Sequence, residues 1–136
     1  MDSKKLPLWL VFENAEQGSD PITVIFKVGD DLRQDILTLQ IFRLMDKIWK
    51  MEGYDLKMNC YGCVSCGDEV GMIEVVLNAA TIAGVSKEFG GATASLKEEV
   101  LANWLINHNP TLLEQQIAME NFKSSCAAYC VATYVL

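Results

Sequence analysis

The chain has 136 residues, 51% hydrophobic and 21% charged, which is enough for one folded domain with a real core. Its formal net charge of −7 disfavours a whole-domain electrostatic grip on nucleic acid, which needs a basic face to displace counterions from phosphate, but leaves room for a local basic pocket around a small anion. No apolar run is long enough for a transmembrane segment and "MDSKKLPLWL" is not a signal peptide, so the five cysteines read as reduced thiols in the cytosol rather than a disulfide framework.

Residues 8–13 (LWLVFE) and 22–27 (ITVIFK) are short runs rich in β-branched and aromatic side chains. The Gly-Ser-Asp-Pro cluster between them is a turn signal, so the pair predicts a β-hairpin. From Asp31 to about Met51, Leu32, Ile36, Leu39, Leu44 and Ile48 fall near helical spacing, with Arg33, Gln34, Asp46, Lys47 and Lys50 largely on other faces. Gly29-Asp30-Asp31 is the start signal, with acidic groups near the positive end of the helix dipole, and Gly53 is the stop. Two β-like runs follow, around KMNCYGC (57–63) and at VGMIEVV (70–76), with Gly67-Asp68 as the turn between them. After Val76 the texture is helical over 79–86, 95–108 and from 111 onward, with Pro110 punctuating the last two. This order of elements predicts an α+β fold whose second part is helical. The last thirteen residues, SSCAAYCVATYVL, carry no charge and no stop signal, from which we expect that the chain is a fragment ending inside a buried element.

Few residues announce chemistry by pattern. Cys60, Cys63 and Cys66 are three apart, the step of many metal-ligand sets, which opens the reading of a metal-stabilised interaction module. Strand alternation opposes it, placing Cys60 and Cys66 on one face and Cys63 on the other. Lys27 shares a face with Ile25 and Thr23; it reads either as a solvated edge residue or as a lysine held in a cleft to grip phosphate oxygens, with Asp35, one turn into the next helix, to orient it. His108 ends a helix and reads as a cap, Trp49 and Trp104 as packing residues, the acidic pair in KEEV as a solvated helix face, and Cys126 and Cys130 as buried thiols.

The segments PLWLVFEN, IFKVGDDLRQDILTLQIFRLMDKIW, YGCVS-GD, GMIEVV and CAAYCVATYVL, in that order, resemble the catalytic domain of phosphoinositide 3-kinases, with class I enzymes the nearest type. The resemblance implies an incomplete protein-kinase-like bilobal fold: a β-rich N-lobe with one long helix over 1–73, a hinge at 74–78, and the first helices of the C-lobe over 79–136. It implies ATP as cosubstrate and Mg2+ held by residues outside this chain. Ser3, Lys4 and Lys5 match the family's phosphate-binding loop, which is not the GxGxxG of protein kinases. Trp9 would wall the mouth of the pocket, and Ile25 belongs to the same implied ATP-binding set. Lys27 matches the ATP lysine, with Asp35 as its partner and Tyr61 at the back. Ile73 would be the gatekeeper, and Glu74 and Val76 the hinge whose backbone pairs with adenine. The implied substrate is a phosphoinositide lipid. The implied partner is an SH2-containing regulatory subunit, with no nucleic acid, in a cytoplasmic protein recruited peripherally to the plasma membrane.

Departures from the family pattern carry their own expectations. Gly84 replaces a polar residue below the hinge, Ala128 stands for a glycine in the last helix, and Leu6 stands for a basic residue in the phosphate loop. The catalytic loop, the magnesium-binding Asp-Phe-Gly stretch and the lipid-selecting activation loop are absent from these residues. The chain by itself is therefore expected to be inactive, as the ATP-binding portion of a kinase or as a truncated piece that binds kinase partners.

Overall fold

The computed structural model describes residues 6–90 and 99–136. Among them, strands β1 (Leu8–Phe12), β2 (Ile22–Val28), β3 (Cys63–Gly67) and β4 (Val70–Glu74) form an antiparallel sheet in the order β1-β2-β4-β3. Helix α1 (Arg33–Met51) connects β2 to β3; helices α2 (Ile82–Gly90), α3 (Glu99–His108) and α4 (Leu112–Val135) follow. The α+β class and the antiparallel sheet agree with the reading of the sequence. The chain divides into two compact units, one running to Tyr54 and resuming over Asn59–Leu77, the other comprising Asp55–Met58 and Asn78–Val135.

In the first unit, the loop between β1 and β2 is knit by its own polar side chains. The Asn14 carboxamide oxygen accepts the Glu16 amide at 3.0 Å, and Gly18 takes a φ of 86°. Helix α1 opens with the Asp31 carboxylate accepting the Arg33 amide at 3.1 Å. It closes as the glycine stop predicts: Tyr54 N–H donates to Trp49 O at 2.8 Å, Gly53 N–H to Lys50 O at 3.1 Å, and Gly53 has φ 86°. That is a Schellman end.

The buried stripe of this region is Leu32, Leu39 and Phe42, and α1 lies against β3. Leu44 and Ile48, expected in the stripe, are exposed. At about 100° per residue, Leu44 is turned roughly 140° from Leu39, whereas Phe42, Met45 and Trp49 continue its row.

The third expected strand is displaced. Residues 57–62 have no regular strand pairing, and β3 begins only at Cys63. Lys57 is one reason: its φ of 55° turns the backbone out of the extended region. The turn lies at Asp68-Glu69, between the paired Gly67 and Val70, one residue later than expected. The cysteine faces also differ from simple alternation. Cys60 and Cys63 are both half-buried while Cys66 is exposed, because Cys60 precedes the strand and does not share its alternation.

In the second unit, α2 starts later than the helical texture at 79. Thr81 ends the preceding segment as a cap, its hydroxyl accepting the Gly84 amide at 3.0 Å. Val85 and Val100 are buried together, with Trp104 packed against them. At the end of α3, His108 acts as the expected terminal residue, its Nδ1 2.9 Å from Trp104 O and its ring 4.3 Å from the Trp104 ring. Helix α4 opens on a capping box: Glu114 N–H donates to Thr111 Oγ1 at 3.2 Å while Thr111 N–H donates to the Glu114 carboxylate at 2.9 Å. Ala128 and Ala132 are the buried residues of α4. Cys126 and Cys130 are exposed, contrary to expectation, since at about 100° per residue they lie on the side of the helix nearly opposite the row that Ala128 and Ala132 turn inward.

Candidate functional site

Strand pairing decides which side chains share a face. Trp9 lies opposite Ile25, Ile25 opposite Ile73, and Ile73 opposite Cys63, so these four form one row across the sheet. Lys27, two residues beyond Ile25, is on the same face opposite Gly71. The sheet thus brings Trp9, Ile25, Lys27 and Ile73 together on one surface, from segments up to 64 positions apart. Ile25 and Ile73 are half-buried, and Trp9 is exposed.

Lys27 meets a different carboxylate from the one expected. Its Nζ is 3.6 Å from Asp30 Oδ2, an ion pair formed within the strand's own exit, while Asp35 sits exposed in the first turn of α1. Proximity in sequence explains the choice: Asp30 is three residues away on a chain already turning at Gly29, whose φ is 92°. Asp35 remains electrostatically close to the same spot. Burial, then the Asp35 charge, pushes the Cys63 thiol up from its usual range, and Arg43 and Lys27 oppose that shift. Cys60 is raised in the same way, by burial and Asp46, against Arg43 and Lys50. Both thiols are therefore held in their neutral, less nucleophilic form.

A cavity of about 370 Å³ opens at the start of β2, bounded by Asp20 to Thr23, Asn59, Tyr61 and Glu74 to Leu77. It gathers Tyr61, Glu74 and Val76 from the expected nucleotide set. Lys27 does not line it; four residues separate Lys27 from Thr23, about 13 Å along the strand. Along the cavity's rim, Glu74 N–H donates to Gly62 O at 2.8 Å and Val75 N–H to Thr23 O at 2.9 Å. Val76, 39% exposed, is the first residue past these bonds.

Two contacts at this rim escaped the reading of the sequence. The Glu74 carboxylate accepts the Gly62 amide at 2.6 Å, and Arg43 Nη2 donates to the Tyr61 carbonyl at 2.9 Å. Glu74 was expected to act through its backbone and Arg43 was not singled out at all. A glycine beside the expected pocket tyrosine was the available signal, because a Cβ on Gly62 would sit 3.0 Å from the Glu74 carboxylate.

Ser3, Lys4 and Lys5 lie outside the described residues. Among the described residues, no three His, Cys, Asp or Glu side chains come close enough to hold a metal ion together, Cys60, Cys63 and Cys66 included. No helix among them is long and apolar enough to cross a membrane.

Comparison with known proteins places these features in a family. A model described as "Phosphatidylinositol 3- and 4-kinase" matches residues 21–136. The chain is 61% identical over 136 residues to phosphatidylinositol 3-kinase 2 of Dictyostelium discoideum, covering all of this chain and 7% of that protein. Phosphatidylinositol 3-kinase 1 of the same organism is 61% identical over 137 residues, 9% of its length. The human phosphatidylinositol 4-phosphate 3-kinase C2 domain-containing subunit beta is 50% identical over 135 residues, 8% of its length. The chain therefore spans less than a tenth of these relatives.

Proposed function

Because the chain belongs to the phosphatidylinositol 3- and 4-kinase family, we propose that it is the adenine-nucleotide-binding portion of a phosphatidylinositol 3-kinase catalytic domain. The complete enzyme would transfer the γ-phosphate of ATP to the 3-hydroxyl of a phosphoinositide ring. The observation that carries this reading is the cavity at the end of the sheet, where Tyr61, Glu74 and Val76 converge beside strand-end backbone.

In this reading Val76 offers its backbone to the adenine edge and Tyr61 closes the back of the site. Ile25, Ile73 and Trp9 supply the apolar sheet face along which the nucleotide lies. Lys27 receives the phosphates further along the same face, its ammonium offsetting their negative charge, with Asp30 and Asp35 holding the local field in balance. Ser3, Lys4 and Lys5 would complete the phosphate contacts. Among the described residues no three His, Cys, Asp or Glu side chains converge, and no step of the chemistry is assigned to a metal.

The lipid substrate, binding of an SH2-containing regulatory subunit, and recruitment from the cytoplasm to the plasma membrane face extend the same reading to the whole protein. Co-purification with an SH2-domain subunit tests the class I assignment.

The decisive test is Lys27→Ala in the complete kinase, assayed on phosphatidylinositol vesicles. Turnover should fall on the order of 10²–10³-fold, as for removal of one preorganised electrostatic contact, while the thermal transition stays in place. Near-normal turnover would defeat the assignment.

A further inference from the structure

The carbonyl of Tyr61 and the N–H of Gly62 belong to one peptide group, and the structure holds that group from both ends. Arg43 Nη2 donates to the carbonyl oxygen at 2.9 Å, and the Glu74 carboxylate accepts the N–H at 2.6 Å. The Gly62 carbonyl in turn accepts the Glu74 amide at 2.8 Å. A cation, a planar peptide dipole and an anion are thus aligned in series, so that each bond polarises the peptide in the sense that strengthens the other.

This chain of bonds joins three elements that also meet through the Cys63–Ile73 strand pair and the packing of α1 on β3. Arg43 comes from the middle of α1, the peptide precedes β3 where strand pairing has not begun, and Glu74 is the last residue of β4. Without the clamp, the Tyr61–Gly62 peptide would be a loop group able to rotate, carrying the Tyr61 side chain with it. With it, Tyr61 is fixed against the cavity and the backbone leaving β4 at Glu74 is fixed at the same point.

We propose that Arg43 and Glu74 are positioning residues for the nucleotide site: together they lock the Tyr61–Gly62 peptide and so set Tyr61 and the Val75–Val76 backbone in binding geometry. A shift of α1 would reach the adenine end of the site through Arg43. The inference rests on the nucleotide reading given above.

The test measures KM for ATP and kcat in the complete kinase on phosphatidylinositol vesicles, for Arg43→Met, Arg43→Lys, Glu74→Gln, the Arg43→Met/Glu74→Gln double variant, and Gly62→Ala. Loss of either end of the clamp should raise KM for ATP about three- to tenfold, the size of one hydrogen bond's net contribution felt through a positioned peptide, with kcat changing less than about twofold. Arg43→Lys should restore much of the loss, and the double variant should cost little more than the worse single one, since the two act on one peptide. Gly62→Ala should resemble Glu74→Gln, because its Cβ would crowd the carboxylate at 3.0 Å. Hydrogen exchange at the Gly62 amide supplies the structural readout and should quicken in each variant. Faster exchange with an unchanged KM overturns the proposal and leaves the nucleotide reading intact. A wild-type enzyme that binds no adenine nucleotide overturns both.

Discussion

Gly71 is the second residue of β4, where a Cβ would lie 2.5 Å from Leu32 Cδ1 and 2.6 Å from the Val64 carbonyl oxygen. The leucine could swing aside, but the carbonyl is part of the β3 backbone and cannot. Gly71→Ala should therefore destabilise the protein by about 1–3 kcal/mol, seen as a lower urea midpoint with an unchanged slope. A wild-type midpoint would show that the strands part more easily than this packing implies. The position also opposes Lys27 across the ladder, so the glycine lets α1 approach the sheet at the place where the lysine emerges. Residue-scale chemistry of this kind was only partly legible beforehand. The lysine could be picked out as the one cation ending an apolar strand, but its carboxylate could not, because Asp30, Asp31 and Asp35 are all within one or two turns of it. The choice fell to Asp30 through the bend at Gly29, a backbone angle that composition does not reveal.

The helix ends are where element-scale reasoning is strongest, because caps are contiguous in sequence. Gly53 was legible as a stop and is one, and the structure also forms a full capping box between Thr111 and Glu114 beside Pro110. The carboxylates at the starts of α1 and α4 predict an acid response with a definite sign. Asp31 is held at about 2, well below its ordinary 3.8, by hydrogen bonds from the Arg33 side chain and backbone, and Glu114 is lowered from 4.5 by the Thr111 hydroxyl and amide. A carboxylate with a depressed folded pKa adds stability that is complete above its unfolded value and lost as pH falls through the folded one. The first turn of α1 should thus lose amide protection as pH falls from about 4 towards about 2, and that of α4 as pH falls below 4.5, the ordinary value from which Glu114 is lowered. Hydrogen exchange across that range checks both; loss that begins well above pH 5 would contradict the sign. Thr111→Ala should lower stability by about 1 kcal/mol at neutral pH, in line with other N-cap truncations.

At the scale of the whole molecule, large apolar side chains stand in solvent along α4: Leu112 is 79% exposed, with Leu113, Ile117, Val131 and Tyr134 also uncovered. Surfaces of this kind associate. The 136-residue chain taken alone should self-associate in sedimentation experiments, and a monomeric sample with a cooperative melt would refute this. The strand-helix-strand order, the helix stops and the sequence of family segments followed from the chain itself, because periodicity and capping are properties of neighbouring residues. The positions of β3, the inner row of α1, the exposed faces of Cys126 and Cys130, and the Arg43–peptide–Glu74 clamp did not. Each depends on which distant segments meet and in what register, and only tertiary contact sets that. The sequence alone thus determined the kind of domain. The tertiary structure decided which carboxylate answers Lys27 and what holds Tyr61 in place, because both are through-space choices among groups the sequence presents as equivalents.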